Sequence, residues 1–497
     1  MDTSVADVAL ILEGTYPYVA GGVSTWVHQI LQAYPARQFA LLHIGAHPGA
    51  YGPPLYELPA NVTAMHELHC RGREQPGRPG APRIAAPRAR RAPSRVLGAL
   101  CRMHTGAAID DRLLADLAAG DLTIHEFLHG DATFELLYRQ LYDELAPEAA
   151  FMDFFWHMRA MHIPLLRLLA APCPPARVYH AVSTGYAGLV GAIASWKTGR
   201  PLVVTEHGLY ARERQLELAR ATWITDLDLH GHGSARPSPL RELWAQYFQV
   251  LSRIAYHQAT CLVTLSEANR AKQLIDGADP AKIIVVPNGV AGADLTATAA
   301  PPRVRAEPAR LRLGFVGRVV PIKDVITLLR AVALAREEVD LELWIIGPET
   351  EDPAYARRCH ELVDALGLAG EVRFLGPQAM APLYPQLDVL VLTSLSEGQP
   401  LVILEAYAEG VPVIATDVGA CRELIEGGGE RDRALGPSGI VTRVANPVAT
   451  AAAICALARQ PELRAQMAQA ARARVRARYR LTQVVASYER LYAGMAA

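Results

Sequence analysis

The sequence predicts an α/β protein built from two Rossmann-like domains that face each other across a cleft, with insertions in the N-terminal one. Three observations predict it. At 497 residues the chain is more than twice the size of an ordinary single domain. Short apolar runs alternate with amphipathic stretches through most of its length, the pattern of parallel strands joined by crossover helices. The sequence strand, Gly-containing loop, helix opens the chain and recurs after residue 310, beyond a proline-rich stretch. With 51% hydrophobic and 20% charged residues the chain can fill two cores, which excludes global disorder.

In the first half, VALILEG (Val8–Gly14) reads as a buried strand. The loop TYPYVAGG (Thr15–Gly22) follows, and then a helix over Val23–Ala33. Further strands are predicted at Phe39–Ile44, Val178–Ala181, Leu202–Glu206, Cys261–Leu265 and Ile283–Pro287. PPRVRAEPAR (301–310) reads as the edge of a linker. After it come the strand of LRLGFVGR (Leu311–Arg318), a helix over Asp324–Ala335, and strands at Leu341–Gly347, Val372–Leu375, Val389–Thr393 and Val411–Thr416. The domains expected are therefore 1–300, with insertions near 71–145 and 209–250, then 301–480, and a final helix in 481–497 that crosses back to the first domain.

The formal net charge of −1 excludes an overall field that would draw the chain to nucleic acid or a membrane. Seven dispersed cysteines without a CxxC pair predict reduced thiols of a cytosolic protein, with neither a disulfide framework nor a structural zinc site. The start MDTSVADVALILEG lacks the basic flank of a signal peptide, and no apolar stretch approaches the ~20 residues that span a bilayer. A soluble, cytoplasmic protein is expected, with peripheral association at the inner membrane left open. Two segments break the rhythm. Residues 71–95 hold eight arginines and one acid, Glu74, which fits a solvated insertion or a contact with an anionic lipid or acidic partner. In TDLDLHGHG, Asp226, Asp228, His230 and His232 alternate; this fits a loop, and the residue types could also ligate a metal.

The chemistry concentrates in TSLSEGQPLVILEAYAEG (Thr393–Gly410). Pro400 suits the first turn of a helix, Leu401–Glu409 continues it, and Gly410 stops it in a left-handed conformation. Glu397 then lies in the loop before the helix, Glu405 one to two turns inside, and the unpaired N–H groups around Leu401 form an anion site between them. The parts match one extended ligand with a diphosphate flanked by hydroxyl-bearing ends. Glu397 could equally be an acid favoured by the helix dipole, and Glu405 an ordinary helix glutamate. In GRVVPIKD, Arg318 follows a strand-ending Gly and Lys323 stands at the mouth of the next helix, both able to converge on a diphosphate. Lys323 is one of only four lysines, so it does not belong to a lysine-rich surface. In the first half, Gly21 and Gly22 lead into a helix with their N–H groups toward the cleft. TEHGLYARER sets Glu206 and His207 at a strand end, followed by Tyr210 and Arg212. VPNGV (Val286–Val290) reads as a tight turn near the domain junction.

Together these pieces resemble the retaining GT-B glycosyltransferases of family 4. The matching motifs are the GGV loop, TEHG, VPNGV, GRVVPIKD, IIGP (Ile345–Pro348), VRFLGP (Val372–Pro377) and SEGQPLVILEAYAEGVPVIATDVG, in order along most of the chain. LILEGTYPYVAGGVSTWVHQ and TEHGLYARERQLEL are most similar to the cytosolic glycosyltransferases of Pel-type exopolysaccharide synthesis. The resemblance implies that Arg318 and Lys323 hold the diphosphate of a UDP-sugar donor, with Gly398, Pro400 and Leu401 at the helix start between them. It implies that Glu405 holds the ribose, that backbone at Phe374 and Leu375 frames the base, and that Glu397 and His207 act at the transferred sugar. Gly21, Gly22, Glu206, Tyr210 and Arg212 then line the sugar or acceptor side. It further implies transfer of a hexose or N-acetylhexosamine with retention and without a cofactor or metal. The partners would be a polysaccharide acceptor and inner-membrane synthase subunits of a biofilm exopolysaccharide, with no nucleic acid. A glycosidase would not need Arg318 and Lys323 at the same helix start. A sugar-nucleotide epimerase of the same architecture and a noncatalytic scaffold subunit remain the alternatives.

Overall fold

A computed structural model of the chain describes residues 5–72, 94–224, 238–291 and 310–496. All but the ends of the arginine-rich 71–95 segment, the Asp226–His232 cluster, and the proline-rich stretch up to residue 309 lie outside the described residues. Two sheets organise the rest. The first contains β1 (Ala6–Glu13), β2 (Phe39–Gly45), β3 (Val62–His69), β4 (Ala176–Ala181), β5 (Leu202–Glu206), β6 (Cys261–Thr264) and β7 (Ile283–Val285), in the order β3-β2-β1-β4-β5-β6-β7. The second contains β8 (Leu311–Val316), β9 (Leu341–Ile346), β10 (Val372–Gly376), β11 (Val389–Leu392), β12 (Val413–Thr416) and β13 (Gly439–Thr442), in the order β10-β9-β8-β11-β12-β13.

Each sheet thus runs 3-2-1-4-5-6 when counted from its own first strand, and the first adds a seventh strand beyond the sixth. The chain goes outward one way from that strand, then returns and builds the other side. In register, Leu10 of β1 lies between Leu41 of β2 and His180 of β4, and Gly314 of β8 between Trp344 of β9 and Leu390 of β11, all parallel. The switch point of each sheet, where ligands of open α/β sheets bind, is the crevice between strands one and four: β1/β4 and β8/β11.

Burial explains why these strands read as continuous apolar runs. In β8, β9 and β11, Leu313, Phe315, Leu343, Ile345, Val389 and Val391 enter one core. The intervening Trp344, Ile346, Leu390 and Leu392 enter the core on the opposite face. Side chains alternate between faces, and helices cover both. Two strands escaped the sequence reading because they lack that signature. The edge strand β3, VTAMHELH, is polar and half-exposed, and β13, GIVT, is only four residues long. At β12 the strand begins at Val413 instead of Val411, since Pro412 has no N–H to donate. From residue 95 the first insertion carries helices at Arg95–His104, Asp111–Leu117 and Ile124–His129, and the helix Phe151–Ala170 follows it; their apolar faces join the first core.

The described residues pack as two compact units. One takes Met1–Val263, Lys272–Ile284 and Arg490–Ala497; the other takes Thr264–Ala271 and Val285–Glu489. The division falls at Val285, before the proline-rich stretch. The last helix, Leu481–Ala496, starts in the second unit and ends in the first, where the Tyr492 hydroxyl lies 2.7 Å from His180 Nδ1. Among the described residues no helix is long and apolar enough to cross a membrane.

Candidate functional site

In the second unit the residues singled out in the sequence sit around the β8/β11 switch point. After β8 the chain forms a short 3-10 turn, Pro321–Lys323, and Asp324 then caps the helix Val325–Ala335. Asp324 adopts φ 45°, a left-handed conformation that is costly for a residue with a Cβ. Its side chain accepts from the Thr327 N–H, and Thr393 at the end of β11 donates to its carbonyl at 2.9 Å. The Leu395 N–H donates to the Ile322 carbonyl at 2.8 Å. The two strand-end loops are therefore laced together, and the lacing places Lys323 Nζ 2.5 Å from Glu397 Oε1. Ser394 donates to the same oxygen at 2.6 Å. The side chains of Lys323 and Glu397 are 21% and 9% exposed, so the pair is set well into the protein.

Arg318 is placed differently. Its guanidinium bonds both oxygens of Glu351 in the loop after β9, and both side chains are largely exposed. An exposed pair of this kind contributes little stability, so an anionic ligand could draw Arg318 away at small cost. Pro400 is the residue before the helix Leu401–Ala408, one position earlier than the sequence reading placed it. No side chain caps this helix, which leaves the N–H groups of Leu401 and Val402 available for an anion. At its other end Gly410, φ 73°, closes the helix: its N–H donates to the Tyr407 carbonyl and that of Val411 to the Ala406 carbonyl. Glu405 accepts a 2.6 Å bond from the buried Tyr384 hydroxyl, which burial and the negative charge of that carboxylate together make hard to ionise. Phe374 and Leu375 lie on the edge strand β10, with the His360 ring 4.0 Å from that of Phe374.

The loop carrying Glu397 and Gly398 is fixed from two further sides. Gln399 accepts from the Asn288 N–H at 2.6 Å and donates to the Leu265 carbonyl, while the Asn288 side chain donates to the Gln399 carbonyl. VPNGV is thus more than a turn: it clamps the SEGQP loop. On the other side Gly419 lies against the backbone carbonyls of Glu397 and Gly398.

In the first unit the corresponding place is the β1/β4 switch point. Gly21 precedes the helix Gly22–Ala33, and no side chain caps its start. His207, just after β5, stands edge-on to Trp26 at 4.7 Å. Burial pushes its imidazole down to about 3, so it is neutral at physiological pH. Glu206 is fully buried and its oxygens accept four bonds: from the Thr184 hydroxyl, the Tyr210 N–H, the Tyr256 hydroxyl and the Gln273 amide, at 2.7–3.1 Å. All four lone pairs of its carboxylate are thereby engaged inside the protein, which fixes the strand end. Arg212 makes a bidentate pair with Asp276 at 3.1 and 3.0 Å. Tyr210 donates to Glu13 at 2.9 Å.

Glu13, Ser394, Tyr384 and Gln399 were missed by the sequence reading. Glu13 ends β1, and its carboxylate accepts the Tyr186 and Ala187 N–H groups at 2.7 and 3.3 Å at the start of the helix Tyr186–Thr198. Burial raises its pKa, against the charge of Arg214 and these hydrogen bonds. A lone acid closing an apolar strand was the available signal, because that position is a switch-point position once the strand order is known.

Residues 6–281 match a family described as a domain of unknown function (DUF3492), and residues 310–460 match the family described as glycosyl transferases group 1. Among relatives, an MMP alpha-(1->4)-mannosyltransferase of Mycolicibacterium hassiacum is 31% identical over 50% of this chain and 56% of its own length. A D-inositol 3-phosphate glycosyltransferase of Geodermatophilus obscurus is 34% identical over 57% and 60%. The matched region thus spans less than two thirds of these relatives. Two solved structures are similar over 98% of the chain: Anabaena HepE in complex with UDP, covered to 99% (TM-score 0.57, 17% identity), and sucrose-phosphate synthase from Thermosynechococcus elongatus, covered to 98% (TM-score 0.60, 18% identity). The two parallel Rossmann-like sheets are those of the GT-B glycosyltransferase fold.

Proposed function

Because the chain belongs to the DUF3492 family and its second unit carries a glycosyl transferases group 1 domain, we propose that it is a glycosyltransferase that moves a sugar from a UDP-sugar to a hydroxyl acceptor. The observation that carries this reading is the Lys323–Glu397–Ser394 constellation at the β8/β11 switch point, beside the uncapped start of the helix Leu401–Ala408. A departing diphosphate develops charge on its oxygens, and an ammonium group with free helix N–H groups stabilises that charge in place. Arg318 joins them when it exchanges Glu351 for phosphate. Glu405, steadied by Tyr384, accepts from the ribose hydroxyls. Glu397 approaches the transferred sugar, and His207 supplies a neutral imidazole on the sugar side.

The finer reading is a cytoplasmic, retaining, metal-independent hexosyl- or N-acetylhexosaminyltransferase of the PelF type. It would act on a growing Pel-like exopolysaccharide with membrane synthase subunits as partners. The acceptor oxygen bonds to C1 on the face from which the diphosphate leaves. The C1–O electron pair departs with UDP, and the hydroxyl proton passes to a diphosphate oxygen. UDP is chosen because HepE was solved with UDP and with UDP-glucose.

The test is binding and turnover with purified protein. UDP should raise the melting temperature more than GDP or ADP, and acceptor-dependent UDP release should persist in EDTA. UDP release without an acceptor product would indicate hydrolysis, and epimerised donor would indicate the epimerase. Absence of any UDP-induced shift would overturn the reading.

A further inference from the structure

The loop after β9, GPETED (Gly347–Asp352), is fastened at both ends to the elements that carry Arg318 and Lys323. Gly347 packs so closely on the end of β8 that a Cβ there would stand 2.0 Å from the Gly317 carbonyl oxygen. Next to it the Val319 N–H donates to the Pro348 carbonyl at 3.0 Å. At the far end Asp352 accepts from the Tyr355 N–H at 2.9 Å and so starts the helix Pro353–Ala365. The Tyr355 hydroxyl in turn accepts from the Ile326 N–H at 3.3 Å, in the helix that follows Lys323. Glu351 lies on the short span between these fastenings, which sets its carboxylate on Arg318.

That pair is made to be exchanged. Both bonds come from a single nitrogen, Arg318 Nη1, at 2.5 Å, whereas a guanidinium grips a carboxylate most firmly through two nitrogens. The Arg318 and Glu351 side chains are 42% and 50% exposed, so water screens their attraction. A diphosphate brings more oxygens and also meets Lys323 and the N–H groups of Leu401 and Val402, so it wins Arg318. The fastened loop keeps the freed Glu351 within reach of the guanidinium. The exchange therefore runs in both directions.

The reverse direction matters once the sugar has been transferred. The groups that stabilise a departing diphosphate also hold it as product, and it then ends in a phosphate monoester with about one further negative charge. Release of such a product limits the turnover of many enzymes. We propose that Glu351 is a positioning residue for Arg318 that loosens UDP after transfer, by taking back the guanidinium as the diphosphate leaves. The assignment rests on the reading of the second unit as a UDP-sugar site.

The experiment compares wild type, Glu351→Gln, Arg318→Gln and the double variant, with UDP affinity measured by calorimetry and UDP dissociation by surface plasmon resonance. Glu351→Gln should bind UDP about two- to fivefold more tightly, through slower dissociation, because the competing charge is gone. Arg318→Gln should bind more weakly, and adding Glu351→Gln to it should change affinity by less than about 1.5-fold, since the competition acts only through Arg318. The melting temperature of Glu351→Gln should match wild type, as the pair is exposed. The proposal is overturned if Glu351→Gln binds UDP no more tightly than wild type, or if the gain comes from faster association alone. An equal gain in the Arg318→Gln background would also overturn it, since that marks plain repulsion between Glu351 and phosphate. Melting temperature and UDP affinity falling together would show a structural role instead. Failure of the underlying glycosyltransferase reading would look different, as wild type would not bind UDP at all.

Discussion

Gly419→Ala tests whether the geometry of the Glu397 loop is what the second unit supplies to the reaction. Gly419 lies in the turn after β12 with φ 53°, and a Cβ there would stand 2.1 Å from the Glu397 carbonyl and 2.4 Å from that of Gly398. A Cβ is essentially never found closer than 3.0 Å to such atoms, so the loop must retreat by about 0.9 Å. It cannot retreat freely. Leu395 is tied to Ile322, Gln399 to Asn288 and Leu265, and Ala420 donates to the Gly398 carbonyl at 2.8 Å. The displacement must therefore carry Glu397 off Lys323 or break one of these ties.

A misplacement near 1 Å in a catalytic constellation costs about 10²-fold in rate. The left-handed conformation adds a stability cost of about 1–2 kcal/mol for alanine. UDP release under saturating donor should fall about 100-fold and UDP affinity by tenfold or more, with a melting temperature lowered by only a few degrees. Gly429→Ala is the control: Gly429 has an extended backbone and no heavy atom within 4 Å of its Cβ position, so it should match wild type. Turnover and UDP affinity of Gly419→Ala within threefold of wild type would refute the argument that the Glu397–Gly398 backbone position matters.

Three further outcomes follow. Glu397→Gln should lower turnover more than donor affinity in steady-state and calorimetric measurements, because the change acts at the transferred sugar; equal losses would count against that role. Tyr384→Phe removes the hydroxyl that steadies Glu405 and should cost about 1 kcal/mol of stability with a several-fold weaker UDP affinity; UDP binding unchanged by calorimetry would separate Glu405 from the ribose. The buried His104 and His162 face each other at 3.0 Å, and burial pushes the His162 imidazole down to about 4. Its unfolded value lies near 6.5, so between those values only the unfolded chain takes the proton. Its stabilising contribution is then whole above about pH 7 and falls by about 2 kcal/mol by pH 5. Urea titrations should show that loss in wild type and a smaller one in His162→Leu; equal slopes would sink it.

Much of the fold was legible because parallel strands buried on both faces leave apolar runs that no surface element imitates. Val8–Gly14, Leu202–Glu206 and Leu341–Gly347 were located to within a residue or two for that reason. What stayed hidden had a weaker or longer-range cause. The edge strand β3 mixes Met, His and Glu because half of it faces solvent. β13, GIVT, opens on a glycine and has only two aliphatic residues, Ile440 and Val441, both only partly buried. The strand order is set by where each crossover returns the chain, and no local stretch records it.

The same contrast separates the two halves of the candidate site. In the second unit Glu397, Gly398, Pro400, Leu401 and Glu405 fall within nine consecutive residues, and Lys323 closes on them because β8 and β11 are neighbours. Local spacing was enough to suspect a ligand there. In the first unit Glu13, Ser183 and His207 come from three separate strand ends, and only the 3-2-1-4-5-6 order brings β1 beside β4 and β4 beside β5. Read along the chain, neither Glu13 nor Ser183 draws notice, whereas Glu206 is a candidate at a strand end. The fold reverses that ranking. Glu206 spends both oxygens on four internal donors, whereas Ser183, Thr15 and His207 keep polar atoms unspent beside Glu13. A buried acid with every lone pair engaged is scaffold, and a buried hydroxyl with none engaged is the better sign of a site.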